Sequence, residues 1–350
     1  MDENHYKVKS QSGNGEYDVI ATESGWKCNC KDAIFRKVCC KHSHCVEFSL
    51  TLRKTIEKKT TIIQKINIST CPECQSDKIV KHGLRHNKYG DLQRFSCKEC
   101  KKRFTINLGF EGMKFSPQTI TSALQLYFTG ESLRNVAKFL RLQGVEVSHK
   151  TVYQWIKKYI GLMEKYLEQI TPQVSDTWRA DEIFLKISGN TKYLYALMDD
   201  QSRLWIAQQI AHTKYTEDVR PLFAKAKEVT GKRPEFLITD GARNFAEAFT
   251  KEFYTREKPQ SKHIRHIHFK RDQNNNKMER LNGEIRDREK VMRGLKKIDT
   301  PILAGYQIFH NYLRPHMALE GKTPSDMVGI KIEGDNRWIT LIQNSTINHN

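Results

Sequence analysis

The spacing of apolar residues divides this chain into three parts. Up to about residue 110, short apolar runs alternate with turn residues and cysteines, which predicts small strands around metal sites. From Ser116 the period becomes helical, with Ile120 and Tyr127 on one face and Gly130 as the stop. From Thr177 onward, strand and helix patterns alternate, which predicts an α/β domain.

The middle part predicts three short helices. After the helix that opens at Ser116, a second carries Leu133 to Leu140 and a third begins at the cap Ser148. Three short helices with a tight second turn are typical of a helix-turn-helix unit, whose last helix contacts DNA. Any three-helix bundle also exposes a polar face, so a purely structural role is the alternative. The predicted DNA-contacting residues of the last helix are Lys150, Tyr153, Gln154 and Lys157.

The C-terminal part predicts three meandering strands, then helix, strand, helix, strand and helix. This is the order of an RNase H-like fold, in which helices cover an α/β sheet. The strands are predicted at TWRADEIFLKI, KYLYALMDD, LWIAQQIA, EFLITDG and HIRHIHF, and the helices over 216–229, over 242–253 and from Asn276.

The charge balance predicts an anionic partner. The 350 residues include 59 Lys and Arg against 40 Asp and Glu, a formal net charge of +19. Nucleic acid is the first candidate for such a basic chain. Anionic lipid is the other, but no apolar stretch approaches the ~18 residues of a membrane span and the N-terminus lacks a signal-peptide core. We therefore expect a soluble protein of the prokaryotic cytoplasm, associated with the nucleoid and without a membrane partner.

All nine cysteines lie between Cys28 and Cys100. In a reducing cytosol, clustered thiols indicate metal binding. The later cluster has two C-x₂-C pairs separated by twenty-two residues, and four thiolates at this spacing close a structural zinc site. This motif resembles the zinc ribbon at the front of many prokaryotic transposases. The predicted zinc ligands are Cys71, Cys74, Cys97 and Cys100.

The earlier cluster has a C-x-C pair and a C-x-H pair separated by nine residues. Three further residues of the same types, Cys39, His44 and Cys45, leave the choice of ligands open, and buried structural thiols are the alternative. The segment WKCNCKDAIFRKVCCKHSHCV resembles a SWIM zinc finger. That resemblance implies one tetrahedral Zn²⁺ held by Cys28, Cys30, Cys40 and His42.

Three acidic residues fall at key points of the predicted α/β domain. Asp181 lies on its first strand, Asp240 just past the fourth, and Glu279 on the closing helix. In-line attack on a phosphodiester uses two divalent cations, and such hard cations prefer carboxylate oxygens. Three carboxylates gathered together are unfavourable unless a metal compensates their charge. The trio therefore predicts a site for Mg²⁺ or Mn²⁺.

Other residues near these acids are less certain. Glu182 follows Asp181 on a strand and so points to the opposite face, which argues against it as a ligand. Asp199 and Asp200 fall at a predicted hairpin turn, and turn chemistry explains them. Basic residues follow Glu279 along its helix and could hold the DNA backbone; these are Arg286, Lys290 and Arg293. The alternative is a helix face with ordinary ion pairs, such as Glu284 with Arg288.

The segments that flank the three acids resemble DDE transposases of the insertion-sequence 6 group and the integrase-core superfamily. They read WRADE, TDGARNF and ERLNGEIRDREKVMRG, with fifty-eight and thirty-eight residues between successive acids, and the likeness covers roughly residues 116–329. The resemblance implies that Asp181, Asp240 and Glu279 hold two Mg²⁺ ions as the catalytic residues. It also implies a DNA transposase that cleaves strands at the ends of an insertion-sequence element and transfers them to target DNA.

The implied partners are double-stranded DNA, as terminal inverted repeats and target, and a second copy of the chain, because two ends must be handled together. The alternative is a non-enzymatic DNA-binding regulator with an inactive RNase H-like scaffold. A simple nuclease of the same fold is a third possibility, but it would not need the three binding modules predicted here.

Domain boundaries follow these changes of pattern. The fold class is multidomain, with an RNase H-like core preceded by a three-helix unit and two small zinc-stapled modules. We expect a helix ending at Pro315, a proline-bearing loop packed on the core, and a disordered tail from Asn344. The predicted domains are a SWIM-like finger at 1–55, a linker and zinc ribbon at 56–110, the helix-turn-helix unit at 111–170, the catalytic domain at 171–300, and a C-terminal helix and tail at 301–350.

Overall fold

The structure of the protein is a computed structural model that describes residues 5–9, 15–22, 25–36, 39–47, 49, 60–66, 70–87, 90–105, 108–256, 260–265, 276–292, 295, 297 and 300–347. Its contacts divide the chain into two compact units, Met1–Thr61 and Ile62–Asn350. No helix within the described ranges is long and apolar enough to cross a membrane.

The first unit is a three-stranded antiparallel sheet with two short helices. The strands β1 (His5–Lys9), β2 (Glu16–Thr22) and β3 (Gly25–Cys28) lie in that order, and the first two match the predicted pair. Helices α1 (Lys31–Arg36) and α2 (residues 41–47) follow. The core of the unit consists of Val19, Cys28, Cys30, Cys40 and Val46, so three of its five buried apolar positions are cysteines.

The second unit begins with strand β4 (Thr61–Ile63), where the sequence predicted a linker. The two predicted ribbon strands follow as β5 (Ile79–Asn87) and β6 (Gly90–Cys97), and a short β7 (Arg103–Thr105) adds a third strand to their sheet.

The three predicted helices are confirmed as α3 (Pro117–Thr129), α4 (Leu133–Leu142) and α5 (His149–Leu167). The hydroxyls of Ser116 and Ser148 accept hydrogen bonds from backbone N–H groups three residues on, which caps α3 and α5 as predicted. The buried faces carry the predicted apolar residues, including Ile120, Leu124, Val136, Leu140, Val152 and Trp155.

A five-stranded sheet forms the centre of the second unit, and its order is β10-β9-β8-β11-β12. The first three strands are antiparallel neighbours, whereas β11 lies parallel to both β8 and β12. This is the predicted RNase H-like order. The strands are β8 (Thr177–Ile187), β9 (Asn190–Asp199), β10 (Trp205–Ala211), β11 (Phe236–Thr239) and β12 (Lys262–Arg265).

Helices cover both faces of this sheet. On one face, α8 (Asn276–Met292) packs Met278, Leu281 and Ile285 against apolar residues of β8 and β9, as its apolar stripe predicted. On the other face, α6 (Thr216–Thr230) and α7 (Arg243–Glu252) share a core with the inner residues of the sheet. Because that core also includes Ile120 and Trp155, the three-helix unit and the sheet are packed as one body.

The C-terminal segment differs from its prediction. Helix α9 (Pro301–Ile308) continues as a π-helical turn to Leu313 and so ends before Pro315 as expected. The segment then continues through α10 (Pro324–Met327), through β13 (Ile330–Ile332), which pairs with β4, and into α11 (Arg337–Ile347).

The prediction of a disordered tail from Asn344 is therefore wrong as far as Ile347, and residues 348–350 lie outside the described residues. Trp338, Leu341 and Ile342 form a buried apolar stripe on α11. The amide of Asn344 itself donates to the backbone oxygen of Gln64 at 2.9 Å.

Candidate active site

The sulfur atoms of the two predicted C-x₂-C pairs come together at the base of the ribbon hairpin. One ligand atom from each of Cys71, Cys74, Cys97 and Cys100 lies within 4.8 Å of the others, and the two closest sulfur pairs are 3.6 and 3.5 Å apart. Tetrahedral Zn–S bonds of ~2.3 Å would separate the sulfurs by about 3.8 Å. The set therefore has the size of a zinc site.

Backbone N–H groups also favour thiolates at this position. A backbone hydrogen bond from Cys100 lowers the pKa of the Cys97 thiol to about 7, and one from Cys74 lowers the pKa of Cys71. Since zinc binds the thiolate form, the turns that bring the sulfurs together also prepare them for the metal.

The first unit brings together the four residues implied by the SWIM resemblance. Cys28, Cys30, Cys40 and His42 are all buried, and their ligand atoms lie within 4.8 Å of one another. The Nδ1 atom of His42 is 3.8 Å from the sulfurs of Cys28 and Cys40, and its ring stacks on Tyr17. The surplus residues stay outside: Cys39 and Cys45 are exposed, and His44 pairs with Glu47.

Two of the three predicted catalytic acids, Asp181 within β8 and Asp240 just past β11, meet at the centre of the sheet. Strand β11 pairs with β8 through Ile238 and Arg179, and it ends at Thr239. Asp240 follows immediately, and one of its carboxylate oxygens lies within 4.8 Å of a ligand atom of Asp181. Asp240 is exposed and accepts a hydrogen bond from the backbone of Ala242 at 3.0 Å, which fixes the turn into α7.

Glu182 belongs to the same cluster, although its place next to Asp181 on β8 argued against it as a ligand. Asp181 and Glu182 do face opposite sides, because their partners across β9 are Ala196 and Tyr195, which lie in different cores. Facing the opposite side of the strand does not, however, keep Glu182 away from the site. Past Thr239 the edge of β8 is no longer paired with β11, and a Glu182 oxygen comes within 4.8 Å of the Asp181 and Asp240 ligand atoms.

The structure does not bring Glu279 into this cluster. It lies on the first turn of α8, it is exposed, and its carboxylate is not among the atoms gathered within 4.8 Å. Its neighbour Asn282, three residues along the helix, instead donates from Nδ2 to Asp181 Oδ2 at 2.8 Å. Asn282 was not predicted as a site residue, although the i+3 spacing between Glu279 and Asn282 places both on neighbouring parts of the same helix face.

A buried ion-pair group holds the start of α8 over the sheet. Lys277 donates to the backbone oxygen and to a carboxylate oxygen of Asp200 at 2.7 and 2.9 Å, and Arg179 of β8 pairs with the same carboxylate. Asp199 is buried and accepts hydrogen bonds from Ser175 and Ser202, which confirms its predicted role in the turn. Asp200 is more than a turn residue, because its ion pairs with Lys277 and Arg179 link α8 to β8.

The cluster is electrostatically strained without a cation. The pKa of Asp181 is raised from 3.8 to about 6, chiefly by burial, with the charges of Glu182 and Asp240 adding to the rise and the hydrogen bonds that Asp181 accepts opposing it. Two buried oxygens beside it, Oε2 of Glu182 and Oδ1 of Asn282, have no hydrogen-bond partner among the described residues. A set of carboxylate and amide oxygens with unsatisfied acceptors fits a hard divalent cation.

Two further residues near the cluster are structural. His263 packs on Phe249 and lies 2.9 Å from the hydroxyl of Thr239, and burial lowers its pKa to about 4, so it is neutral at physiological pH. Asn244 donates to the hydroxyl of Tyr195 at 3.3 Å while its oxygen accepts from the next backbone N–H. The other strand histidines, His266 and His268, lie outside the described residues.

Two of the predicted DNA-contacting residues, Tyr153 and Lys290, line one cleft. Lys150, Gln154 and Lys157 are exposed on α5, and Tyr153 of that helix lines a cleft of about 860 Å³ together with Lys290 of α8. Arg286 is also exposed, whereas Arg293 lies outside the described residues. Other basic residues that line the cleft are Arg134, Lys138, His149 and Lys297.

The alternative for α8, a face with ordinary ion pairs, is met in part: Lys290 pairs with Asp287 at 3.0 Å, whereas the pair given as its example, Glu284 with Arg288, does not form. Glu284 pairs with Arg314 instead. Arg288 is buried, and its guanidinium donates to the backbone oxygen of Tyr127 at 2.5 Å, near the C-terminal end of α3 where carbonyl groups carry partial negative charge. Both side chains thus contact residues outside α8 and not each other.

Comparison with known proteins agrees with this geometry. Residues 175–316 match the model of a family described as a DDE domain. Two Staphylococcus aureus proteins, the transposase for insertion sequence-like element IS431mec and the transposase for IS257 in transposon Tn4003, are each 29% identical over 139 residues. The match covers 38% of this chain and 59% of each relative, so the chain spans less than two thirds of their length.

More distant matches include an uncharacterized protein in transposable element ISH50 of Halobacterium salinarum, 25% identical over 47% of this chain and 51% of that protein. Among solved structures, the HTLV-2 integrase catalytic core with magnesium is 18% identical, with a TM-score of 0.32 over 45% of this chain and 98% of that one. A simian T-cell lymphotropic virus intasome chain is 16% identical, with a TM-score of 0.35 over 45% and 56% of the two chains. By sequence, residues 175–316 of this chain are similar to DDE domains, and the strand order of this segment is that of an RNase H-like fold.

Proposed function

We propose that this protein is a DNA transposase that cleaves DNA strands at the ends of an insertion-sequence element and joins them to target DNA. The observation that carries the proposal is that Asp181, within β8, and Asp240, just past the end of the adjacent β11, lie together inside a segment that matches a DDE domain. Ligand sites of open α/β sheets favour strand ends, which suits Asp240. The relatives named as transposases support the same activity.

The proposed catalytic residues are Asp181, Asp240 and Glu279. Bound Mg²⁺ or Mn²⁺ would supply the Lewis acidity that activates first water and then a 3′-hydroxyl, and that stabilises the leaving oxygen. Asp181 and Asp240 would hold the reacting phosphate through these cations. Asn282 fixes the orientation of Asp181 by donating to its Oδ2, while its Oδ1 accepts from Glu182 N and keeps acceptor capacity for a cation.

Glu279 would join this site by side-chain rotation. Residues three apart on a helix have Cβ atoms about 5–6 Å from each other, and Asn282 already contacts Asp181. The exposed carboxylate of Glu279 is therefore one helical turn from the cluster, on a helix whose start is held by Lys277 and Asp200. A second cation bound between the DNA phosphate and the cluster would draw the side chain inward.

The remaining modules would bind DNA. The basic cleft lined by Tyr153 of α5 and Lys290 of α8 has the charge to hold a DNA backbone, and the exposed Lys150, Gln154 and Lys157 of α5 would contact the terminal inverted repeat. The two cysteine clusters would each hold a structural Zn²⁺, in a ribbon and in a SWIM-like finger. Two element ends require at least a homodimer on DNA.

Strand transfer in vitro tests the proposal. Zinc-loaded protein is incubated with Mg²⁺ and a duplex that carries the repeats flanking its own gene, and cleaved and joined strands are separated on denaturing gels. We expect both products from the wild type and neither from Asp181→Asn, Asp240→Asn or Glu279→Gln. Asp176→Asn is the matched control, since Asp176 is an exposed acid just before β8 and outside the cluster. Wild-type activity in the three variants would refute the proposal.

One observation favours the alternative of a non-enzymatic DNA-binding regulator, and it is the exposed position of Glu279 outside the cluster. A regulator with an inactive scaffold would gain no stability from Mg²⁺. The proposed enzyme gains stability as RT ln(1 + [Mg²⁺]/Kd), about 2.7 kcal/mol at a hundredfold excess over Kd. A thermal melt with and without Mg²⁺ therefore separates the two functions.

A further inference from the structure

Glu182 lies beside Asp181 and Asp240, although the alternation of side chains along β8 turns it to the opposite face of the sheet. It faces the side of the sheet covered by α6 and α7, yet the end of β11 at Thr239 leaves the edge of β8 open beside it. One oxygen each of Asp181, Glu182 and Asp240 thus lies within a 4.8 Å cluster. Ligand oxygens around one Mg²⁺, at ~2.1 Å from the metal, stand about 3–4 Å apart. Small side-chain rotations close that difference.

The Glu182 carboxylate is buried, and among the described residues only one of its two oxygens has a hydrogen-bond partner. Its side chain is 10% exposed, and Oε1 accepts a hydrogen bond from Lys214 Nζ at 2.6 Å. Its Oε2 atom is fully buried and has no hydrogen-bond partner among the described residues. Leaving a buried acceptor unpaired costs about 1–3 kcal/mol, and more for a charged group. An oxygen kept in that state beside two other carboxylates is available to a cation.

The Lys214 side chain can move away from Glu182 when a cation binds. Its ammonium lies 4.5 Å from the ring centre of Phe184 and 5.1 Å from that of Tyr193, so cation–π contacts hold it beside the site. The Lys214 side chain is nevertheless 39% exposed, which leaves it a path into solvent. A divalent cation could therefore replace the lysine charge without leaving an unpaired ammonium buried.

We infer that Glu182 is a ligand of the first divalent cation, together with Asp181 and Asp240, and that Lys214 occupies its carboxylate until that cation binds. This inference rests on the proposed function, whose metal site it extends. It makes Glu279 unnecessary for the first cation, because three carboxylates already surround that position. Glu279 then completes the site for the second cation when DNA is present.

The test is the affinity for Mn²⁺ without DNA. Free Mn²⁺ is counted by electron paramagnetic resonance as zinc-loaded, full-length protein is titrated. We expect Glu182→Gln to weaken Mn²⁺ binding by about tenfold or more, and Glu279→Gln to leave the first dissociation constant unchanged. Glu252→Gln is the matched control, because Glu252 is 11% exposed and pairs with Lys227 at 2.8 Å outside the cluster. Wild-type affinity in Glu182→Gln would overturn the inference.

Two more variants make the result unambiguous. Asp181→Asn should abolish Mn²⁺ binding; if it binds like the wild type, the metal site of the proposed function fails as well. If Asp181→Asn loses Mn²⁺ while Glu182→Gln keeps it, only the role of Glu182 falls. Lys214→Met keeps all carboxylates and should bind Mn²⁺ severalfold more tightly, since a competing charge is removed. Unchanged or weaker binding in a folded Lys214→Met protein would also overturn the inference.

Discussion

Replacing Asp181 by asparagine should stabilise the cation-free protein near pH 8. The carboxylate of Asp181 is buried beside two others, and its pKa is raised from 3.8 to about 6. A folded-state pKa above the unfolded one means that the folded protein holds the proton more tightly. The contribution of Asp181 to stability is therefore most favourable below pH 3.8, falls as the pH rises through about 6, and stays reduced above it. An amide at this position removes the charge that causes the loss.

The magnitude follows from the two pKa values. At about 1.4 kcal/mol per pH unit, the interval from 3.8 to about 6 corresponds to about 3 kcal/mol at pH 8. The carboxylate accepts one hydrogen bond from Glu182 N and one from Asn282 Nδ2. The new amide can keep both if Asn282 flips, because Asn282 Oδ1 has no partner now. Allowing up to about 1 kcal/mol for imperfect geometry, the net gain is about 2–3 kcal/mol.

Urea denaturation of zinc-loaded protein measures this gain, with the fluorescence of the buried Trp178 and Trp205 as the signal. We expect Asp181→Asn to be more stable than the wild type at pH 8 and the difference to disappear near pH 4. Adding Mg²⁺ should stabilise the wild type and not the variant. Equal stability at pH 8, or the same advantage at both pH values, would refute the argument from buried charge.

Three other predictions concern the modules around the site. Cys97→Ser should reduce the zinc content from two ions per chain to one, as measured by elemental analysis, because it removes one of four sulfurs that meet at the ribbon; unchanged zinc would contradict the site. Gly305→Ala should lower the free energy of unfolding by about 1–3 kcal/mol in urea titrations, since a Cβ there would lie 2.3 Å from the Phe128 ring, and a stability gain would contradict that close packing. Lys157→Ala should weaken DNA binding and lower the slope of log K against log salt by about one, whereas Lys165→Ala on the same helix serves as the control and should leave that slope unchanged.

Much of the fold follows from local pattern. The strand TWRADEIFLKI occupies β8 over its full length, because alternating burial and β-branched residues act within the segment itself. The serine caps of α3 and α5 are equally local. The order of strands and helices then left few ways to build the sheet, so Asp181 could be placed on its first strand and Asp240 just past its fourth from the sequence alone.

The residues that the sequence did not predict depend on tertiary contacts. Glu182 joins the cluster only because β11 ends at Thr239, and a rule about alternating faces contains nothing about where the neighbouring strand stops. The contacts of Asn282 with Asp181, and of Lys277 with Asp200, join residues 101 and 77 positions apart. No periodicity within one segment can reveal such contacts.

Anomalous diffraction from crystals soaked in Mn²⁺ tests the central claim most directly, since it locates the cation without reference to activity. We predict an anomalous peak at bonding distance, about 2.0–2.3 Å, from carboxylate oxygens of both Asp181 and Asp240. Fully occupied Mn²⁺ peaks elsewhere in the molecule, with none between these two carboxylates, would contradict it.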